Sequence, residues 1–304
     1  MRRGISIVGL SLVLAGTAIT PVAAMQSMDP AFSDTIISEL GYPTIAIEVG
    51  PSGIDAPDTL EAGLYHVTLD AEIETDVAYM NFVQPPAGLD HDTMVAQMLE
   101  AGAGDVVRDG WVFLGGTNTP NPGESATFVI ELKEGDYQIA ASYYQIEDSG
   151  ANEVMLMEPL TVTPAVNDGY YEEPEADVML EITDDLQYIV SPDAIAAGPQ
   201  IWQISNTGEH HSHHVVMMGV PDGTSDQDII NEFNAMMSGT PTASPSLMEQ
   251  FVWTGYAALQ SGGTTTWAEF DLKPGTYALI CFIMEDGVYR PHMLDGMVTI
   301  FTVA

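Results

Sequence analysis

Cysteine is almost absent from this chain: among 304 residues there is one, Cys281. No disulfide can form within the chain, so a packed core must hold the fold. A lone thiol in an oxidising compartment is a liability unless it is buried or bound to a metal. Positive charge is nearly as scarce. Six lysines and arginines stand against 44 aspartates and glutamates, giving a formal net charge of −38 and a pI near 4.1. A surface of that sign repels phosphate backbones, which argues against nucleic acid as a partner. The acids are spread over the whole length, so they coat a folded surface rather than form a tail. At low salt such a surface repels itself over a long Debye length, which points to a halophilic setting of high ionic strength. Beyond residue 24 there is no apolar run long enough to span a bilayer.

The first 24 residues do carry an apolar run, and it reads as a signal peptide. Arg2 and Arg3 form a positive start, residues 5–19 are apolar, and Pro21-Val22-Ala23-Ala24 supplies small residues for cleavage before Met25. The expectation is an exported protein, periplasmic or extracellular, with no transmembrane helix in the mature chain. Residues 26–40 read as a leader segment. From Thr44 the texture is all-β. Residues 44–49, 64–73, 126–132 and 137–144 are apolar or alternating and rich in β-branched and aromatic side chains. One helix is expected over Asp90–Ala101, capped by Asp90 or Asp92, with Met94, Met98 and Leu99 on one face.

The chain then repeats itself. IELKEGDYQIAAS (Ile130–Ser142) has a counterpart in FDLKPGTYALICF (Phe270–Phe282), and both carry Leu-Lys-x-Gly-x-Tyr. Residues 84–99 match 219–233, and residues 110–116 match 252–263. A period this long is a tandem duplication of a β domain. The division is 25–163 for one domain, 164–176 for an acidic linker rich in proline and glycine, and 177–304 for the second. Edge management favours a two-sheet Greek-key sandwich of about seven or eight strands in each half.

Chemistry gathers in one stretch of the second half, CFIMEDGVYRPHMLDGM (Cys281–Met297), with Glu285-Asp286-Gly287 expected as a turn within it. A thiolate, the His292 imidazole and the Met297 thioether make a soft donor set. One more nitrogen would complete a His₂Cys copper site with a weak axial Met. HHSHHVV upstream offers His210, His211, His213 and His214. The duplication supplies a control, because Cys281 aligns with Ala141, His213 near Ala78, His292 near Ala151 and Met297 near Leu156. The first domain lacks every proposed donor and is expected to be free of metal. For His210 and His211 an exposed tract is the plainer reading, for His66 and His91 a structural one, and Trp202, Trp253 and Trp267 are expected in the core. Met217, Met218, Met236, Met237 and Met248 read as packing.

These residues carry a resemblance. Leu272-Lys273-Pro274-Gly275-x-Tyr277 ahead of Cys281, then His292-x-x-x-Gly296-Met297, resemble the ligand loop of the cupredoxins, the plastocyanin-like type 1 blue copper proteins. Asn206-Thr207-Gly208 ahead of a histidine and a Val-Val strand start fits the same pattern. The resemblance covers roughly Asp177–Ala304, and the first half through the duplication. It implies one type 1 copper held by His213, Cys281, His292 and Met297, with His214 as the alternative first ligand and Met293 as a substitute axial residue. The family register selects His213, and strand alternation turns His214 to the other side. The residue after the first ligand is commonly a polar strut between ligand loops, and here it is His214. The gap from Cys281 to His292 is longer than in simple cupredoxins.

The implied function is single-electron transfer with a redox partner bearing a basic patch, an electron carrier rather than a catalyst. A nitrite reductase-like or laccase-like oxidoreductase is the alternative. Against it, Ile280 and Phe282 flank the cysteine where those oxidases resemble one another in a His-Cys-His string. Copper storage or delivery, and a metal-free surface sandwich, are further readings.

Overall fold

The computed structural model describes residues 35–73, 77–100, 106–107, 109–118, 125–147, 150–166, 172–239, 246–285 and 290–304. The expected signal peptide and most of the leader lie outside them. Strands follow from alternation: along TIAIEV, Ile45, Ile47 and Val49 are buried and their neighbours exposed. The first half forms β1 (Thr44–Gly50), β2 (Gly53–Asp55), β3 (Thr59–Glu61), β4 (Gly63–Ala71), β5 (Val77–Gln84), α1 (His91–Glu100), β6 (Val106–Val107), β7 (Val112–Thr117), β8 (Ser125–Leu132), β9 (Gly135–Glu147) and β10 (Gly150–Thr163). The second half forms β11 (Val178–Thr183), β12 (Gln187–Ser191), β13 (Gly198–Asn206), β14 (His213–Val220), α2 (Asp226–Met237), β15 (Val252–Gln260), β16 (Thr264–Leu272), β17 (Gly275–Ile280), β18 (Met284–Glu285) and β19 (Val298–Val303).

The all-β expectation holds, and each half contributes strands to two facing sheets. Both sheets run through both halves. One has the order β12-β11-β13-β16-β8-β4-β1-β2, the other β19-β17-β14-β15-β7-β5-β9-β10-β3. The halves join where β16 pairs antiparallel with β8, its own counterpart in the duplication, through Thr266↔Ile130, Trp267↔Val129 and Ala268↔Phe128. In the other sheet β15 meets β7 at Gln260↔Leu114. A strand pairing antiparallel with its duplicate is what a local two-fold relation produces. Trp267, Val129, Leu64, Ile201 and Ile37 form a buried cluster at this seam. Ile37 donates its N–H to Glu269 Oε2 at 3.0 Å and is fully buried. The stretch expected to be leader therefore joins the core by Ile37.

The repeat is visible in detail. Tyr137 Oη donates to Lys133 O at 2.8 Å, and Tyr277 Oη to Lys273 O at 2.7 Å. This corner is why Leu-Lys-x-Gly-x-Tyr occurs in both halves. Asp90 caps α1 by accepting from Thr93 N at 2.8 Å, and Met94 and Met98 are buried beneath it. Leu99, placed with them by periodicity, is exposed. In α2 a Ser225–Asp228 capping box starts the helix, and Ile229 and Phe233 cover one sheet face. Trp202 and Trp267 are core residues as expected, whereas Trp253 is 45% exposed.

Tyr137→Phe should cost about 1–2 kcal/mol by leaving the Lys133 carbonyl short of a donor, and Tyr277→Phe should cost more, because it also removes the acceptor of the Lys273 N–H at 3.1 Å. The double variant should be additive because the corners share no partner. Urea unfolding of the three variants measures this.

Candidate metal centre

Strand periodicity does the first part of the assembly. Along β17, Tyr277 and Leu279 point into the core of the second sandwich, and Ala278 and Ile280 point to the face under α2. Cys281, one residue past the strand, keeps the inward phase and is fully buried. β14 pairs with β17 through Val216↔Ile280 and Met217↔Leu279. On β14 the inward set includes Val215 and Met217, and His213 shares their phase. The thiol and the His213 ring therefore come to the same end of the same core.

The return loop supplies the rest. His292 starts a 3-10 turn (His292–Asp295) after Pro291, and Gly296 ends it at φ 108°, a left-handed conformation that suits glycine. His292 N donates to Ile283 O at 2.9 Å, and Met293 N to Cys281 O at 2.9 Å. Cys281 N donates to Met297 O at 3.3 Å, and Met297 N to His292 O at 3.1 Å. Arg290 Nε closes the outside by donating to Asp295 Oδ1 at 2.7 Å. Met297 lies in the same core cluster as Cys281, whereas Met293 packs with the residues under α2.

Three donors converge. Cys281 Sγ lies 3.8 Å from His213 Nδ1 and 3.7 Å from His292 Nδ1, and the two nitrogens are 3.1 Å apart. A point equidistant from the corners of that triangle lies about 2.1 Å from each, within the span of about 2.0–2.3 Å typical of first-row metal bonds to imidazole and thiolate. All three residues are buried, and the group can hold one ion. His213 Nε2 is buried without a hydrogen-bond partner among the described residues, so the ring offers its chemistry on the Nδ1 side. The residues fit a small, soft cation.

His214 takes no part in this triangle. Its ring lies across the strand, beside Tyr256 and Phe282, and its Nε2 accepts the Phe282 N–H at 2.8 Å. That bond ties the first histidine loop to the residue after the cysteine, the strut position noted in the sequence. Upstream, Asn206 Nδ2 donates to His211 O at 2.8 Å and to Gln260 O at 2.9 Å. Its Oδ1 accepts from Gly208 N at 3.0 Å. A side chain at Gly208 would collide with Asp184, its Cβ lying 2.3 Å from Oδ1. Asp184 in turn accepts the N–H groups of Glu209, His210 and His211. These bonds, the Glu209 one foremost, hold its carboxyl well below the usual range.

Sequence reasoning missed the surroundings. His211 is half-exposed yet engaged: its Nδ1 meets Glu285 Oε1 at 2.9 Å, and the same oxygen lies 3.3 Å from His292 Nε2. His211, Glu285 and His292 form a second group of potential donors that shares His292 with the first. Glu285 was expected in a turn with Asp286 and Gly287. It ends β18, which pairs parallel with β6 of the first half through Met284↔Val106 and Glu285↔Val107. Asp286 and Gly287 fall outside the described residues. Tyr188, on β12, was also missed; its hydroxyl reaches both His214 O and the Cys281 thiol. No local pattern marks these residues, because each arrives from a different strand.

In the first half the matching place is filled with hydrocarbon. Tyr137, Ile139 and Ala141 occupy the inward phase of β9, and Ala141 pairs across to Leu156 of β10. His66 is buried and bonded to Thr127, and His91 opens α1. Of the five methionines read as packing, Met217 is in the core, Met218 and Met248 pack near α2, and Met236 and Met237 are exposed.

Burial pushes the Cys281 thiol up to about 12, against the opposing pull of hydrogen bonds from the Ile283 and His214 N–H groups and the Tyr188 hydroxyl. Burial also lowers His213 and His214 to about 3, with the nearby His292 imidazole adding to the effect.

The chain is similar to blue copper proteins of known structure. Auracyanin A, a "blue" copper protein from the green thermophilic photosynthetic bacterium Chloroflexus aurantiacus, is 18% identical, with 42% of this chain and 98% of that chain covered and a TM-score of 0.27. A dithionite-reduced auracyanin from Roseiflexus castenholzii is 22% identical over 43% of this chain and 99% of that chain, with a TM-score of 0.26. A multi-copper oxidase from Pediococcus acidilactici is 10% identical over 86% of this chain and 87% of that chain, with a TM-score of 0.23. No family model and no curated protein sequence matches the chain. What the centre can do follows from its own geometry.

The two buried histidines give the metal-free protein a pH dependence of definite sign. Their folded pKa values lie below the unfolded value of 6.5, so below pH 6.5 the unfolded chain binds more protons. Stability should fall as pH drops from about 6.5 towards 3, by about 1.4 kcal/mol per pH unit for each histidine. His214→Gln places a side-chain amide oxygen near the Nε2 position, keeping an acceptor for the Phe282 N–H, but does not titrate. Between pH 7 and pH 5 it should lose about 2 kcal/mol less than wild type in urea unfolding.

Proposed function

We propose that this chain is an exported type 1 copper protein that carries single electrons, with one copper held by His213, Cys281 and His292 and with Met297 as axial ligand. The observation that carries the reading is the buried donor triangle, whose centre is a bond length from one thiolate and two imidazole nitrogens. Copper supplies a one-electron couple when bound to such a set. The chain's own residues do the rest. The strands and the His214 strut fix the donors in advance, so little needs to move when an electron arrives. The N–H groups of Ile283 and His214 draw charge from the sulfur. Burial in the sandwich core keeps bulk water away from the thiolate.

The residues 25–163 would then be a metal-free domain of the same ancestry, and 177–304 the copper domain, behind a signal peptide ending near Ala24. The net charge of −38 suits a redox partner with a basic patch, whose association should weaken with salt. Among the described residues the groups able to hold a metal are the two that share His292. A separate cluster of the kind an oxidase would use for further coppers is not among them.

Copper titration tests the reading. One copper per chain with an intense band at roughly 600 nm is expected, and Cys281→Ser should abolish the band. Met297→Leu should keep the band and raise the reduction potential, since the axial thioether favours the oxidised metal. Uptake of two or more coppers, or of colourless copper(I) alone, would favour storage or delivery. Turnover of dioxygen or nitrite would favour the oxidoreductase.

A further inference from the structure

The two histidines of the donor triangle are supported differently. His213 Nε2 is buried with no partner among the described residues, whereas His292 Nε2 faces a carboxylate, Glu285 Oε1, at 3.3 Å. Glu285 does not reach that place through the ligand loop alone. It sits on β18, and the strand beside it is β6 of the metal-free half, in parallel register with Glu285 opposite Val107. On its other side the same oxygen takes His211 Nδ1 at 2.9 Å. His211 is itself fixed by Asn206 and Asp184 through its backbone. The carboxylate is thus held from three directions, and its one contact towards the donor triangle is His292.

We infer that Glu285 is a positioning residue for His292, and that the metal-free half serves the centre by holding Glu285 in place through β6. This rests on the copper reading above. A carboxylate that accepts from Nε2–H fixes the tautomer in which Nδ1 carries the free lone pair, orients the ring, and raises its basicity. The negative charge, one imidazole away from the ion, favours copper(II) over copper(I). Both effects act in the same direction. The half without the donors therefore still contributes to the chemistry, through two residues of strand rather than through a ligand.

The experiment compares wild type with Glu285→Gln and Val107→Pro in the full-length protein, reading copper(II) affinity, the visible spectrum and the reduction potential. Glutamine keeps the size of the side chain and removes its charge. Proline removes a backbone N–H from β6 and weakens its pairing with β18. Glu285→Gln should keep the band at roughly 600 nm, because every donor remains. Its copper(II) affinity should fall about 10–100-fold. If that loss is confined to copper(II), the potential rises by about 60–120 mV, at 59 mV per tenfold for one electron. Val107→Pro should move affinity and potential in the same direction by less. A Glu285→Gln protein within twofold of wild-type affinity and with an unmoved potential would overturn the role of Glu285. A Val107→Pro protein with wild-type values would overturn the role of the first half. A second copper taken up by wild type and lost in Glu285→Gln would make Glu285 a ligand, which also overturns the proposal. If wild type shows no band at all, the copper reading itself fails and this inference falls with it.

Discussion

Everything about the centre depends on the register of two neighbouring strands. β14 and β17 pair so that Val216 faces Ile280, and period-two alternation then sends His213 and Cys281 to the same interior. A slip of one residue in either strand would turn a donor to the α2 face and leave the thiol facing hydrocarbon. That register is anchored at both ends. At one end stands the Tyr277 corner, at the other the Phe282 N–H to His214 bond. The site is thus a by-product of how the sandwich is laid, and the ligand loop only has to return His292 and Met297 to a place already defined.

The duplication makes this separable into fold and function. Both halves keep the tyrosine corner, the covering helix and the inward phase of the strand that follows. Only one keeps donors at the end of it. The Ala141–Leu156 pair shows that the position can be closed by ordinary apolar packing. The chain can therefore fold such a sandwich without a metal, and the donors are an addition to a fold that does not need them.

Much of this was legible in the amino-acid sequence, for physical reasons. Alternation announced β1 and β8, helix periodicity and Asp90 announced α1, and the repeated Leu-Lys-x-Gly-x-Tyr announced the duplication. The grouping of His213, Cys281 and His292 was implied by the resemblance of two short stretches to the cupredoxin ligand pattern. What was hidden came from contacts between distant segments. Glu285 read as part of a turn because its partner, Val107, lies in the other half. Tyr188 gave no sign because its hydroxyl meets the thiol only after β12 docks beside β11. His211 looked like one more exposed histidine because nothing local records Asn206 and Asp184 closing around its backbone. Leu99 and Trp253 failed in the opposite way: periodicity and residue type suggested burial, but no neighbouring element covers them.

The seam between the halves has a consequence for how the molecule comes apart. β15 and β16 are interior strands of their sheets only because β7 and β8 lie against them. Cut away from its sister, the donor-bearing half would present two bare strand borders with unpaired amides and Trp267 uncovered, an open template for joining other chains. The heavy acidic coat would oppose such joining only while salt is low. In a saline setting the sister half is the lasting guard against aggregation, and the two halves should melt as a single cooperative unit.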